Sequence, residues 1–254
     1  MNASFWKPLI VFVFGITTIV VIKQVLAQQL IRNGINGYET HTLIGLAANL
    51  LLIGLSIFLI RKNNLFELAG LRSPLLKKWT LFIFPVAYLG LLNLLLMDDI
   101  VQQPSLLNLA LFSVYCLSIG FAEELSLRGF MQSYLIKHWG RTKRQVMLSI
   151  GLTALFFGVL HFIKFDQGLY GEMAQVVYAS FIGIMFGALL VITRRIYPLI
   201  VIHAIVDFIG DYDAIGLPIP GHLGETTSPS DALLITLLVL PCFLYGAFLM
   251  KRHL

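Results

Sequence analysis

The stretch GFAEELSLRGF, residues 120–130, places three charged residues inside a long apolar run. The run extends from about residue 105 to 136, and Glu123, Glu124 and Arg128 interrupt it. A charged side chain at the centre of a bilayer costs at least about 2.5–3.5 kcal/mol, so each one needs a partner or a purpose. Both the fold and the function therefore depend on what these three residues do.

The composition predicts that the chain lies in a membrane. Of its 254 residues, 58% are hydrophobic and only 12% are charged, and the mean hydropathy is +0.85. These values are typical of an integral membrane protein, because a spanning helix needs roughly 20 mostly apolar residues. We predict an all-α, polytopic transmembrane bundle that forms one membrane domain over residues 1–254, with about eight spans near 8–27, 41–60, 79–97, 105–136, 145–165, 172–193, 197–210 and 231–250.

The positions of the basic residues predict the orientation. If both termini face the cytoplasm, 14 of the 18 basic residues lie in cytoplasmic segments: Lys7, Arg61, Lys62, Arg72, Lys77, Lys78, Lys137, Arg141, Lys143, Arg144, Arg194, Arg195, Lys251 and Arg252. Lys23, Arg32 and Lys164 lie on the other side, and Arg128 lies in the membrane. The positive-inside rule thus favours an even number of spans. Because the net charge of +5 follows from topology, we expect no nucleic-acid partner and a location in the cell membrane.

The segments between the spans are short. The connection at 61–78 contains LFELAGLR, residues 65–72, whose apolar and charged residues predict a short helix on the cytoplasmic surface. The connection at 211–230 is rich in Pro, Gly and Ser and predicts an external loop. The sequence GIMFG at 183–187 has the GxxxG spacing that lets helices approach closely. Cys116 and Cys242 lie in apolar segments and predict packing rather than a disulfide.

The same cost of a charge in the membrane nominates three titratable residues elsewhere. They are His161 at the end of the fifth span, and His203 and Asp207 in the seventh. On a helix, residues four apart share a face, whereas adjacent residues point about 100° apart. The spacing therefore predicts a structural ion pair between Glu124 and Arg128, and it leaves Glu123 as a carboxylate that faces elsewhere. The same spacing pairs His203 with Asp207, and His161 with the ring of Phe157.

Counting from the cytoplasmic turns tests whether these groups share one depth. Glu123 lies 18 residues before the turn at residue 141, and His161 lies 20 residues after it. His203 lies only 8 residues beyond Arg195, so it should be shallower unless the RRIYP turn lies deeper in the membrane. A desolvated carboxylate with two histidines is suited to hydrolysis by activated water. The nucleophile motif GxSxG and the zinc motif HExxH are both absent from the sequence.

Three motifs in this order resemble the CPBP family, which includes type II CAAX prenyl endopeptidases and bacterial Abi proteins. They are EExxxR as EELSLR at 123–128, FxxxH as FGVLH at 157–161, and HxxxD as HAIVD at 203–207. The resemblance covers about 105–210, the expected catalytic core. It implies an intramembrane endopeptidase in which Glu123 is the general base, His161 holds the water, and His203 with Asp207 stabilises the oxyanion. Glu124, Arg128 and Phe157 would support the site.

The resemblance leaves the metal and the role of Asp207 open. The family has been described both as metalloproteases and as glutamate-dependent proteases, and His161 with His203 could contribute to a zinc site. We favour a site without an obligatory metal. Many family members have Asn where this chain has Asp207. An ionised Asp only accepts hydrogen bonds, so we expect Asp207 either to be protonated or to orient His203.

Two other functions are compatible with a polar site in the membrane. A non-proteolytic membrane regulator or bacteriocin-immunity protein would act by binding a partner. A proton-coupled transporter would also use membrane carboxylates, but it predicts repeats or paired broken helices, which the sequence lacks. An endopeptidase would instead act on a peptide or a membrane protein within the lipid, and whether that substrate is prenylated is left open.

Overall fold

The computed structural model describes residues 3–72, 76, 78–97, 99–100, 102–163, 167–219 and 226–254, and these ranges contain helices and no strand. The helices are α1 (Ala3–Arg32), α2 (Tyr38–Lys62), α3 (Ile83–Leu96), α4 (Leu106–Glu124), α5 (Ser133–Trp139), α6 (Lys143–Leu160), α7 (Gly168–Thr193), α8 (Tyr197–Gly210) and α9 (Pro229–His253). A π-helix (Leu125–Gln132) joins α4 to α5, and 3-10 turns occur at Trp79–Phe82, His161–Ile163 and Tyr212–Ala214.

The predicted all-helical membrane bundle is confirmed. Within the described residues, seven helical segments are long and apolar enough to cross a membrane, and α8 is a shorter apolar helix. The core lies where α7 packs between α6 and α9, and where α4 packs against α2 and α8. With 14 residues, α8 is only about 21 Å long, which is less than the roughly 30 Å of a bilayer core.

Hydrogen bonds bring the basic turns together at one end of the bundle. Three lysines from different segments bond across this end: Lys78 Nζ to His253 Nδ1 at 3.2 Å, Lys137 Nζ to the Asn63 carbonyl at 2.6 Å, and Lys143 Nζ to the Lys251 carbonyl at 3.2 Å. We call this the basic end. Of the basic residues counted above, Lys77 and Lys164 lie outside the described residues.

The opposite end is joined by its own backbone bonds. Ile219 N donates to the Asn36 carbonyl at 2.9 Å, and Thr227 N donates to the Gln167 carbonyl at 3.0 Å. These bonds link the α1–α2, α6–α7 and α8–α9 connections, which the charge pattern predicts to be external. Part of the predicted external loop, residues 220–225, lies outside the described residues. The two ends of the bundle therefore carry the two sets of connections that the charge pattern separates.

The predicted surface helix at 65–72 is wrong, because this segment folds inward as a series of turns. Ala69 N donates to the Leu65 carbonyl at 2.8 Å, and both side chains are fully buried in the core. Gly70 has φ +70 and lies so close to Ile196 that a Cβ there would be 2.8 Å from the Ile196 nitrogen. Ile196 is itself fully buried, so the turn between α7 and α8 is recessed from the basic end. The recessed turn explains how a short α8 reaches the depth of α4.

Gly120 allows α4 and α8 to cross closely. A Cβ at this position would lie 2.6 Å from the Ile200 carbonyl oxygen, which is shorter than any normal contact. Because the obstacle is backbone, it cannot move away as a flexible side chain can. The close crossing therefore depends on a residue without a side chain.

Replacing Gly120 with Ala should destabilise the bundle, since overpacking a core typically costs about 1–3 kcal/mol. Gly151→Ala on α6 is the matched control, because a Cβ there meets nothing within 4 Å. We expect Gly120→Ala to lower the midpoint of thermal unfolding in detergent, and Gly151→Ala to leave it unchanged or raise it. Equal midpoints for the two variants would contradict the proposed close crossing.

Candidate active site

The helix that carries the two glutamates changes its geometry directly after them. The sequence predicted one regular helical run over 105–136, but α4 ends at Glu124 and continues as a π-helix to Gln132. Arg128 still reaches back one turn, and its NH1 donates to Glu124 Oε1 at 3.0 Å. Ser133 Oγ donates to the Arg128 carbonyl at 2.8 Å. Segments of π-helix are rare and frequently occur at functional sites, so this break marks the region.

One carboxylate oxygen holds the centre of the site. Glu124 Oε1 accepts from Arg128 NH1 at 3.0 Å and also from His203 Nδ1 at 2.9 Å. The side chains of Glu124 and Arg128 are 0% and 1% exposed. An ionised carboxylate can only accept, so the proton of this hydrogen bond belongs to His203 Nδ1. Glu124 therefore pairs with Arg128 and orients His203 at the same time.

His203 lies between the two glutamates. Its Nδ1 faces Glu124, and its Nε2 is 3.4 Å from Glu123 Oε2. Adjacent side chains on a helix diverge by about 100°, and an imidazole ring with nitrogens on two edges fits between them. The sequence predicted that Glu123 faces away from the Glu124–Arg128 pair, and it did not predict the approach of Glu123 to His203. The predicted depth difference between Glu123 and His203 is absent, because the turn before α8 is recessed.

Asp207 lies near this network without a hydrogen bond to it. Its Oδ2 is 3.8 Å from His203 Nε2, beyond hydrogen-bonding distance. The same oxygen is buried and has no hydrogen-bond partner among the described residues. Asp207 was expected either to be protonated or to orient His203. Glu124 already orients His203 through its hydrogen bond to Nδ1.

Phe157 connects the Arg128 side chain to His161. The guanidinium carbon of Arg128 lies 5.1 Å from the centre of the Phe157 ring, within the range of a cation–π contact. The His161 ring meets the same phenyl ring edge to face at 5.0 Å. Phe186 provides a second ring, 5.6 Å from Arg128 and 6.2 Å from His203. The Phe in the FxxxH motif thus contacts two of the polar groups at once.

His161 lies where α6 ends and a 3-10 turn begins. Its Nδ1 is 3.0 Å from the Phe157 carbonyl oxygen. Because a carbonyl only accepts, this geometry places the proton on Nδ1. In the neutral ring Nε2 then carries the lone pair and can accept a hydrogen bond from water.

A cavity of about 420 Å³ joins the first glutamate and the first histidine. Glu123 and His161 both line it, together with Phe157. His203 and Asp207 are not among the lining residues that the structure describes. They lie on α8, which packs against α4, and His203 is next to Glu123. Six of the seven predicted residues therefore contact one another or line one cavity. The seventh, Asp207, lies 3.8 Å from His203.

Several polar lining residues were not predicted from the sequence. Lys23, Asn49, Glu172 and Asp211 also line the cavity. Glu172 is buried, and its Oε1 accepts from the Gln167 nitrogen at 3.0 Å. Glu172 could have been found from the sequence, because it is an acidic residue at the edge of the apolar run 172–193. The contributions of α1 and α2 depend on helix packing and leave no such local signal.

The donor set does not form a recognisable metal site. Among the described residues, no group of three or more His, Cys, Asp or Glu side chains is arranged to hold a metal ion. The two histidines named as possible zinc ligands direct their Nδ1 atoms to different partners, the Phe157 carbonyl and the Glu124 carboxylate. We therefore derive no step through a metal.

Glu124→Ala should lower the amount of folded protein and also the activity, because it leaves Arg128 buried without its partner and releases His203. Removing one member of a buried pair typically costs about 3–5 kcal/mol. Glu67→Ala, which removes an exposed carboxylate, is the control. Fluorescence-detected size-exclusion chromatography measures the folded amount. A Glu124→Ala protein as abundant as the Glu67→Ala protein would refute the structural role.

Comparison with known proteins identifies a family that part of the chain resembles. Residues 105–209 match the family described as type II CAAX prenyl endopeptidase Rce1-like. No curated protein and no solved structure shows significant similarity to the chain. The matched segment begins before α4, ends in α8 and contains all three motifs. The resemblance suggested by those motifs is thus confirmed over residues 105–209, which match the Rce1-like family.

Proposed function

We propose that the chain is an intramembrane endopeptidase that hydrolyses a peptide bond of a membrane-proximal peptide or protein with water activated by Glu123. The Rce1-like match supports a CAAX-protease-like membrane endopeptidase in general. One observation carries the specific mechanism. Glu123 lines the same cavity as His161 and also lies 3.4 Å from His203, so one carboxylate contacts one histidine and shares a cavity with the other.

Glu123 is the general base of this mechanism. Its side chain is 32% exposed, whereas that of Glu124 is 0% exposed, so only Glu123 is accessible to water. Glu124 is already bonded to Arg128 and His203. The two adjacent acids therefore have different environments, which is how paired carboxylates acquire separate roles.

His161 orients the water. With its proton on Nδ1, its Nε2 accepts one hydrogen bond from the water molecule, while Glu123 accepts the other. A lone pair of the water oxygen then remains free to attack. A base and an orienting group that line one cavity support general-base catalysis.

The proposed hydrolysis consumes a single water molecule. The water oxygen attacks the carbonyl carbon, and its proton passes to Glu123. The oxyanion that forms faces His203, whose Nε2 donates to it when the ring carries both protons; Glu124 supplies the counter-charge at Nδ1. Glu123 then returns the proton to the amide nitrogen as the carbon–nitrogen bond breaks. For this contact, the scissile carbonyl lies beside Glu123, on the side that faces His203.

Asp207 acts in this proposal as a protonated carboxylic acid. An ionised carboxylate next to the oxyanion would repel it, and a buried carboxylate without a hydrogen-bond partner is costly. The protonated form can donate instead, as an asparagine amide would.

Replacing Glu123 with Gln should reduce cleavage by about 10²–10⁴-fold, because the amide cannot accept the proton of the water. Comparing the membrane peptides of wild-type and Glu123→Gln cells identifies the cut sites that disappear. Glu67→Gln is the control and should retain every cut. Treating the purified protein with a chelator in the same assay should leave the rate unchanged, since no step of the proposed mechanism requires a metal ion.

The same variant separates the protease from a binding regulator. If Glu123→Gln protein rescues the phenotype of a deletion, the chain acts by binding a partner and the protease proposal fails. Retained cleavage by the variant would likewise eliminate Glu123 as the base.

Two substitutions at Asp207 test its protonation. Asp207→Asn keeps a neutral donor of similar shape and should retain activity. Asp207→Ala removes the donor and should lower kcat by about 10²–10³-fold, the usual cost of one lost oxyanion donor. Equal loss in both variants would show that the carboxylate itself is needed, and the rate of peptide cleavage decides between these outcomes.

A further inference from the structure

The cavity that contains Glu123 has its exposed rim at one end of the bundle. Gln167 and Asp211 line it and are exposed to solvent. They belong to the α6–α7 and α8–α9 connections, and the Gln167 carbonyl accepts a hydrogen bond from Thr227 at the end opposite the basic end. The rim of the cavity is thus formed by the connections that the charge pattern predicts to be external.

Packed side chains close the other side of the cavity. On the helix of Glu123, the lining residues reach only to Leu127, and both Ser126 and Leu127 are 1% exposed. Ser126 Oγ is hydrogen-bonded to Ser56 at 2.7 Å, which joins the π-helix to α2 below the cavity. Gln132, one turn closer to the basic end, is buried and donates to the Gly187 carbonyl at 3.1 Å. These contacts separate the cavity from the basic end.

Distance along α7 gives the depth of the cavity. Its lining residues on α7 are Glu172 and Gln175, near the start of the helix. From Gln175 to the last residue, Thr193, the helix runs a further 18 residues (193 minus 175), or about 27 Å toward the basic end. The cavity therefore occupies the half of the membrane domain away from the basic turns.

The charge distribution assigns the sides. Basic residues close to span ends accumulate on the cytoplasmic side, so the basic end is cytoplasmic and the rim of the cavity is not. We infer that the active site is entered from the non-cytoplasmic side, and that its substrate is a peptide segment presented there. Such a segment is either an exported peptide or the outer juxtamembrane part of a membrane protein. This inference rests on the proposed endopeptidase function.

The cavity walls indicate what such a peptide carries. Ile16, Ile19 and Val20 of α1 form an apolar strip, and Lys23 and Gln24 continue α1 as a polar strip. A peptide with an apolar side chain next to the cleaved bond and polar groups toward the water fits these walls. Because α1 lies outside the matched segment 105–209, this wall is a feature of the chain beyond the Rce1-like segment.

Thiol accessibility tests the direction of entry without any need for activity. In a background in which the buried Cys116 and Cys242 are replaced by Ala, Gln167→Cys places a single thiol at the rim and Gln175→Cys places one inside the cavity. Arg144→Cys at the exposed basic end is the matched control. Intact cells are treated with a charged, membrane-impermeant methanethiosulfonate, and a second sample is permeabilised first.

The inference predicts that the thiols at 167 and 175 react in intact cells, while the thiol at 144 reacts only after permeabilisation. The reverse pattern would overturn it. Reaction of all three in intact cells would overturn entry from a single side, and failure of the thiols at 167 and 175 to react even after permeabilisation would show that the cavity is closed to water.

The positions of the cut sites provide a second test of the direction of entry. Sites lost in the Glu123→Gln strain should lie on the non-cytoplasmic side of their proteins. If the lost sites all lie in cytoplasmic C-terminal segments, as for a prenylated cytoplasmic substrate, the direction of entry is wrong while the endopeptidase survives. If no cut site is lost, the protease proposal itself fails, whatever the labelling shows.

Discussion

A single buried oxygen, Glu124 Oε1, accepts hydrogen bonds from Arg128 and from His203, and the rest of the site is arranged around it. The first bond lies within one helical segment, whereas the second joins α4 to α8, 79 residues apart in sequence. Burying a carboxylate is costly unless every charge near it is paired and hydrogen-bonded. The bond to His203 contributes to this pairing and also fixes the orientation of a histidine beside Glu123, whereas Glu124 Oε2 and Arg128 NH2 are buried without a hydrogen-bond partner among the described residues. Stability and site geometry therefore share one interaction.

The surrounding helices and turns place His203 next to Glu124 Oε1. A 14-residue α8 would be too shallow if its turn lay at the membrane surface, but Ile196 is buried beneath the inward-folded segment 65–72. Gly120 lets the two helices cross closely. Phe157 then packs between Arg128 and His161, which joins the second histidine to the same structure. Features that are far apart in sequence serve one local geometry.

The bundle was predictable because hydrophobicity and length dictate spanning helices, and the Glu124–Arg128 pair was predictable because i, i+4 contacts are local. The bond between Glu124 and His203 was not, since it depends on a recessed turn and on a glycine contact that involve tertiary packing. The π-helix after Glu124 has no sequence pattern that distinguishes it from an α-helix. Helix α1 was predicted as a span, yet its role as a cavity wall follows only from its packing next to α2.

The site depends most directly on Glu124 binding Arg128 and His203 together. A double-mutant cycle with Glu124→Gln, His203→Gln and the double variant measures that coupling through the free energy of unfolding in mixed micelles. The structure predicts that the two substitutions are coupled by roughly 1–3 kcal/mol, because each removes one end of the same buried bond. If the effect of the double variant equals the sum of the two single effects within about 0.5 kcal/mol, the bond contributes nothing and the central role of Glu124 Oε1 is contradicted.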